Sequence, residues 1–180
     1  MNLNEQIKYW FEKLDDIKKR AHEIDPIDPA EDYIPPNPPA TEEEIKKVEE
    51  HWGIVFPEDY KHLLMICNGW ENMIASIDLL STDQLLNNDS DHMVAAREYI
   101  EAQMEYNPVF EGIDFRRVIP IGASLIEPDV LVIHPVEGTT KYEVIWWYNW
   151  SGVVEREHDI VGFLKRCYQI VKNTFPEKRR

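Results

Sequence analysis

Apolar residues recur at helical spacing near the start of the chain, with lysine and glutamate between them. This period predicts an amphipathic N-terminal helix of about six turns within residues 1–24. Its apolar stripe consists of Leu3, Ile7, Trp10, Phe11, Leu14 and Ile17.

A proline-rich segment follows over residues 25–40, where six of the sixteen residues are proline. Proline lacks a backbone N–H and cannot continue a helix or a central strand. Two interpretations remain open. The segment is either an extended strap held to the body by Tyr33 and Ile34, or a flexible linker.

A second helix is predicted to begin after Thr41, because Thr41 and Glu44 have the spacing of a capping box. Gly53 is placed to end this helix in a left-handed conformation. The buried stripe of the helix is expected to contain Ile45, Val48 and Trp52.

A third helix is predicted from Pro57, because the fixed φ of proline suits a first helical turn. Glu58 and Asp59 follow, and acidic side chains stabilise a helix N-terminus. Asn68 and Gly69 are expected to end this helix. Its buried face is expected to contain Tyr60, Leu63, Leu64 and Cys67.

The rest of the chain mixes strand-like and helical runs. A short helical turn is predicted around Leu85, a longer helix over 93–106, and a closing helix capped by Asp159. This order predicts an α+β fold, with a mostly antiparallel sheet of about four to six strands packed against several helices. Strands are predicted at 73–77, 117–121, 130–135, 142–150 and 153–157.

Acidic residues dominate the composition, with 34 Asp and Glu against 19 Lys and Arg, a net charge of −15. Residues 53–160 contain 19 acidic and 6 basic residues, a net charge of −13. This charge favours solubility, and it also predicts attraction to a basic protein partner. Direct binding to nucleic acid is not expected, because phosphate contacts need lysine and arginine.

Compartment signals in the sequence are few. No apolar run approaches the ~20 residues that cross a bilayer, and the first residues lack the apolar region of a secretory signal. Cys67 and Cys167 lie in apolar helical patterns, which predicts buried free thiols in a cytoplasmic protein.

Two groups of residues are candidates for partner contact. For any single acidic residue, a solvated loop position is the preferred interpretation, because few surface residues become hot spots. Trp146, Tyr148 and Trp150 would share one face of a strand, with Trp147 on the other. An exposed face would supply interface anchors, but we prefer the alternative that both faces are covered, since large apolar residues usually fill cores. The acidic group consists of Asp89, Asp91, Glu111, Asp114, Glu127 and Asp129.

No catalytic residue, metal ligand or cofactor is predicted. The six histidines form no HExxH motif, and no GxSxG, P-loop or CxxC sequence is present. An EF-hand-like spacing occurs, but His92 stands where that calcium loop requires glycine. A polar loop that caps the next helix is the preferred interpretation. The residues with this spacing are Asn87, Asp89, Asp91 and Glu98.

The stretch TEEEIKKVEEHWGIVFPEDYKHLLMICNGW, residues 41–70, resembles the signature of the SUKH superfamily of Smi/Knr-like proteins. The runs VIPIG, PDVLVI, VIWWYNWSGVVEREH and DIVGFLKRCY follow in the family's order, so that the likeness covers about residues 41–172. The glycine-rich turn of the family is replaced by SLIEPD. The motif positions that we expect to be structural are Gly53, Phe56, Pro57, Asp59, Tyr60, Leu63, Asn68 and Gly69.

The resemblance implies a compact α+β domain without a catalytic apparatus. Many bacterial members are implied to be immunity proteins that block the toxin domain of a polymorphic toxin, often a nuclease. Fungal members are implied to be interaction and signalling modules. We therefore expect one SUKH-like domain over 1–180, with its core at 41–174, that occludes a basic toxin. The alternatives are a non-catalytic scaffold in signalling or cell-wall control, and an uncharacterised enzyme.

Overall fold

A six-stranded antiparallel sheet forms the centre of the computed structural model. The structure describes residues 1–24, 33–148 and 151–174. The strands are β1 (Trp70–Ile74), β2 (Ile77–Leu79), β3 (Val109–Phe110), β4 (Ile113–Asp114), β5 (Ile119–Ala123), β6 (Asp129–Pro135), β7 (Tyr142–Tyr148) and β8 (Gly152–Glu157). The large sheet has the order β1-β2-β5-β6-β7-β8, and β3 pairs with β4 in a separate hairpin.

Helices precede, interrupt and follow the strands, so the predicted α+β class is confirmed. They are α1 (Leu3–Ile24), α2 (Glu42–Trp52), α3 (Glu58–Leu64), α4 (Thr82–Leu86), α5 (Asp91–Tyr106) and α6 (Ile160–Thr174).

Both faces of the sheet are covered. Leu131 and Trp146 belong to the core that also contains the buried residues of α1, α2, α3 and α6. Val130 and Trp147 belong to a second core, which is closed by α5 and the β3–β4 hairpin. Because neighbouring strand residues point to opposite faces, a strand buried on both sides is apolar throughout, as β6 is. The preferred interpretation of the tryptophan strand, with both faces covered, agrees with this arrangement.

The joints between α2 and α3 follow the local sequence signals. The Thr41 side chain accepts from the Glu44 N–H while the Glu44 carboxylate accepts from the Thr41 N–H, which completes the predicted capping box. Gly53 ends α2 at φ 63°, a conformation that glycine adopts without steric cost. Pro57 is the N-cap of α3 rather than a residue of its first turn.

Two predicted boundaries are wrong. Residues 73–77 are not one strand, because Ala75 at φ 50° lies in a turn between β1 and β2. Asn68 and Gly69 do not end α3, which already ends at Leu64. Short strands β3 and β4 have too few residues to show a period, and they were not predicted.

The described part of the proline-rich segment, residues 33–40, lies along the body. The Tyr33 hydroxyl donates to Asp15 Oδ1 over 2.6 Å, and Trp70 Nε1 donates to the Ile34 carbonyl over 2.7 Å. The Asn37 N–H donates to the Gly69 carbonyl over 3.0 Å. Residues 25–32 lie outside the described ranges, so a strap over all of 25–40 stays a prediction.

Candidate partner-binding surface

Asp59 of the signature stretch joins three elements inside the protein. Its Oδ1 accepts from the Tyr60 N–H, and its Oδ2 accepts from the Ile160 N–H over 3.0 Å and from the Tyr142 hydroxyl. Asp59 therefore ties α3 to β7 and to the start of α6. Burial and the adjacent Asp59 carboxylate raise the pKa of the Tyr142 phenol, so the hydroxyl stays a donor.

Four further signature residues also make contacts within the fold. Phe56 and Tyr60 meet edge to face with their ring centroids 4.9 Å apart. The Asn68 side chain donates to Thr82 Oγ1 over 2.9 Å and accepts from the Thr82 N–H over 2.7 Å. A Cβ on Gly69 would lie 2.9 Å from the Ser81 nitrogen. These residues are engaged within the fold, so a partner surface is expected outside the signature stretch.

Two chain connections and the last residue of β7 meet at one end of the central sheet. The β1–β2 turn and the β5–β6 loop are joined there by a hydrogen bond from Ser124 Oγ to Ser76 Oγ over 2.9 Å. Asp129, the first residue of β6, pairs with Tyr148, the last residue of β7. We call this surface the loop end and define it as residues 75–76, 124–129 and 148.

The β5–β6 loop holds two apolar side chains in solvent on a braced backbone. Leu125 is 52% exposed and Ile126 is 75% exposed. The fully buried Ser124 side chain accepts from the Ile126 N–H over 3.1 Å and from the Glu127 N–H over 3.0 Å. Because these bonds fix the loop before any contact forms, little ordering entropy would be lost on binding.

Carboxylates lie close to two tyrosines at and beside the loop end, Tyr148 and Tyr99. Desolvation, the carboxylates of Glu127 and Asp129, and a hydrogen bond with Glu127 raise the pKa of the Tyr148 phenol. Partial burial and the carboxylates of Glu98, Asp129 and Glu127 raise the pKa of Tyr99 on α5. The loop end therefore combines an exposed apolar pair with the exposed carboxylate of Glu127 and the buried carboxylate of Asp129.

Asp129 is the buried carboxylate of this surface. Its Oδ1 accepts from Trp146 Nε1 over 2.7 Å, and Trp146 itself is only 8% exposed. Desolvation raises the pKa of Asp129 against the lowering effect of the Trp146 bond, and Glu127 adds a further upward shift. Both residues hold the base of the loop end rather than its outer surface.

The structure brings together three of the sequence candidates, namely Glu127, Asp129 and Tyr148. Glu111 is exposed in the β3–β4 turn, where its carboxylate lies 3.9 Å from the position of a Cβ on Gly152. Three acidic candidates lie apart from this group: Asp89 and Asp91 are exposed before and at the start of α5, and Asp114 pairs with Arg116. Trp146 is buried. Trp150 lies outside the described residues.

Sequence reasoning missed the apolar pair and the tyrosine of α5. Leu125 and Ile126 interrupt a polar loop, in the run SLIEPD, and that interruption was an available signal. Tyr99 gave no signal, because its position beside the loop depends on how α5 packs against β5 and β6.

The calcium-like spacing before α5 belongs to a helix cap. Ser90 Oγ accepts from the Met93 N–H over 3.4 Å, and His92 Nε2 lies 2.6 Å from Asp78 Oδ2. The preferred interpretation of a capping loop is therefore confirmed. Across the described ranges, no three His, Cys, Asp or Glu side chains are arranged to hold a metal ion. No helix within the same ranges has both the length and the apolarity to cross a membrane.

Comparison with known proteins gives one family. Residues 39–173 match the sequence model of the SMI1 / KNR4 family (SUKH-1). This match covers more than half of the chain and includes the signature stretch, the whole sheet and nearly all of α6. A search of curated proteins found no match.

Proposed function

Because the chain belongs to the SMI1 / KNR4 family (SUKH-1), we propose that it is a protein-binding immunity factor that neutralises a cognate polymorphic toxin. The observation that carries this proposal is the loop end, where an exposed apolar pair lies on a braced loop and is followed by the exposed carboxylate of Glu127. Immunity by this route requires occupancy of the toxin and no catalysis.

The charge of the protein supports a nuclease as the toxin. A nuclease binds phosphates with lysine and arginine, so its cleft is basic. Residues 53–160 carry a net charge of −13, and complementary potentials increase the rate of association. We propose that the acidic side chains capture the toxin and that Leu125 and Ile126 then anchor it in a desolvated pocket.

The contacts that we propose form a centre and a rim. Leu125, Ile126 and Tyr148 supply the centre, and Trp150 follows Tyr148 in the chain. Asp129 and Trp146 support this surface from beneath through their hydrogen bond. The proposed rim consists of Glu127 and of Glu111 in the β3–β4 turn. Asp89, Asp91 and Asp114 lie apart from the loop end, and we propose that they contribute long-range attraction rather than contacts.

We propose a cytoplasmic location, supported by the state of the cysteines. Cys67 and Cys167 are buried free thiols, and burial raises the pKa of Cys67 to about 12. Such thiols are typical of a reducing compartment. An immunity factor in the cytoplasm would meet a toxin that has entered the cell.

The second candidate is a non-catalytic scaffold or regulatory module in signalling or cell-wall control. Family membership is compatible with this candidate, because the resemblance to the family implies interaction and signalling modules among its fungal members. A scaffold needs several partners, whereas an immunity factor needs one toxin. The local charge and the apolar anchor favour immunity.

The experiment uses the product of the adjacent reading frame, expressed as an inactive variant together with this protein. We expect a complex with equal amounts of both chains that survives purification. Its association rate should fall about tenfold or more between low and high salt, because steering is electrostatic. The active product should lose its toxic activity when the purified protein is added in equal amount.

Two outcomes would contradict the proposal. One is that the adjacent product is not toxic, and the other is that it stays fully active in the presence of excess protein. Capture of several host proteins by the same loop-end surface would instead support the scaffold.

A further inference from the structure

Three aromatic rings form a continuous chain on the outer side of α1 and α6. Tyr9 and Trp10 meet edge to face with centroids 5.2 Å apart, and Trp10 meets Tyr168 with centroids 5.8 Å apart. Tyr9 is 41% exposed, whereas Trp10 and Tyr168 are half-buried. The aromatic chain is therefore open to solvent along part of its length.

A lysine lies over each ring of this chain. Lys13 Nζ is 5.7 Å from the Tyr9 centroid, Lys165 Nζ is 5.5 Å from the Trp10 centroid, and Lys172 Nζ is 5.9 Å from the Tyr168 centroid. Ammonium groups at this range are attracted by the ring faces. We call these six residues the lysine–aromatic ridge.

The ridge lysines differ in their partners from Lys8 and Lys19 of α1, which form ion pairs. Lys8 lies 3.8 Å from a Glu12 oxygen, and Lys19 lies 2.5 Å from an Asp15 oxygen. Among the residues that the structure describes, no carboxylate lies within ion-pair distance of Lys13, Lys165 or Lys172. Three uncompensated cations are therefore grouped on a protein whose net charge is −15.

The packing of α1 against the body does not require all of the ridge residues. The contact between α1 and the body is already made by Ile7, Phe11 and Leu14, which are buried. Tyr9 is not part of that core and extends the aromatic surface outward. α6 contributes Lys165 and Lys172 and contains no Asp or Glu.

We propose that the lysine–aromatic ridge binds an acidic segment of a partner protein. The three ammonium groups would pair with carboxylates, and the rings would cover the apolar parts of the segment. Charge complementarity selects this occupant. A second copy would bring lysines against lysines if the ridges met face to face. Nucleic acid and anionic membranes carry charge over a larger area than the ridge, so the acidic body would repel the part that extends beyond it, whereas a short acidic segment would fit on the ridge.

This proposal is independent of toxin neutralisation, because it concerns different elements and the opposite charge. The experiment uses the full chain and a short fluorescein-labelled peptide of aspartate, glutamate and phenylalanine, followed by fluorescence anisotropy. The ridge variant is Lys13→Gln/Lys165→Gln/Lys172→Gln. The matched control is Lys8→Gln/Lys46→Gln/Lys47→Gln, which removes three ion-paired lysines and changes the net charge equally.

We expect the peptide to bind the wild type and the control with similar affinity, and the ridge variant about tenfold or more weakly, since three lysine–carboxylate pairs are lost. Circular dichroism should show equal folding of all three proteins.

Three binding results would overturn the proposal: no peptide binding by the wild type, equal loss in both variants, or tighter binding to a DNA oligonucleotide or phosphatidylserine vesicles than to the peptide. A dimer in sedimentation that only the ridge variant loses would assign the ridge to a second copy, and would overturn it as well.

Discussion

At the scale of single residues, Asp59 shows how an acidic side chain becomes part of a core. It is 5% exposed, and it accepts hydrogen bonds from two backbone N–H groups and from the Tyr142 hydroxyl. Buried polar groups are stable only when they are paired, and pairing here joins residues that are far apart in sequence. The sequence predicts only that Asp59 stabilises the N-terminus of α3, whereas in the structure it also holds the start of α6 in place.

We predict that Asp59→Ala lowers the free energy of unfolding by about 3 kcal/mol, because two backbone N–H groups and the Tyr142 hydroxyl lose their acceptor. Urea denaturation followed by circular dichroism would measure the change. Glu58→Ala is the control, since the neighbouring Glu58 side chain is 71% exposed and pairs only with Lys61 at the surface. An Asp59→Ala variant as stable as the control would contradict the role given to Asp59.

The raised pKa of Asp129 predicts that the stability of the protein depends on pH. Desolvation raises its pKa above the ordinary value of 3.8, so the folded protein retains a proton that the unfolded chain releases. The stability due to Asp129 is therefore greatest below the unfolded pKa and is lost as pH rises through the folded pKa.

Asp129→Asn removes this titration and keeps an oxygen acceptor for Trp146 Nε1. We expect the stability of the variant relative to wild type to increase as pH rises from below 3.8 to neutrality. Urea denaturation across that range would test the sign. A stability difference that is constant, or that decreases with pH, would contradict the assignment.

At the scale of elements, the β5–β6 loop is organised by one hydroxyl. Ser124 Oγ accepts from the Ile126 and Glu127 N–H groups and donates to Ser76 Oγ. The first two bonds fix the loop itself, and the third joins it to the β1–β2 turn. These functions can be separated, because Ser76 takes part in only one of the bonds.

We predict that Ser124→Ala increases hydrogen exchange at the Ile126 and Glu127 amides about fivefold, since each loses a bond of about 1 kcal/mol and gains access to open conformations. Ser76→Ala should leave both amides protected. NMR-detected exchange on the two variants would measure this. Unchanged protection in Ser124→Ala would show that the loop is held by other contacts.

Elements with local signals were predictable, and those set by distant contacts were not. The Thr41 capping box and the left-handed Gly53 depend on a few neighbouring residues, so the sequence was sufficient. The β1–β2 turn requires a positive φ at Ala75, a residue type that gives no such signal. The β3–β4 hairpin depends on packing against the sheet, where the Asp114 N–H donates to His134 Nε2 over 3.1 Å.

The same distinction applies to the candidate surface. Glu127 and Asp129 were recognisable in the sequence as acidic loop residues, but their proximity to Tyr148 required the register that places Asp129 opposite Tyr148. Burial of Trp146 depends on the helices that cover its face of the sheet.

At the scale of the whole molecule, the charges and the exposed apolar residues are unevenly distributed. The loop end exposes the apolar pair Leu125 and Ile126. On α1 and α6, three lysine ammonium groups lie over aromatic rings. Two surfaces of opposite polarity would allow the protein to bind a basic toxin at one and an acidic segment at the other.

The central claim is toxin neutralisation through the loop end, and growth rescue tests it most directly. The product of the adjacent reading frame would be induced with wild type, with Leu125→Ser/Ile126→Ser, or with Val55→Ser. Val55 is the matched control, because it is 79% exposed against 75% for Ile126 and lies between α2 and α3. Growth would be compared at equal levels of folded protein. We expect wild type and Val55→Ser to restore growth and the double variant to fail. Rescue by all three proteins, or by none, would contradict the account.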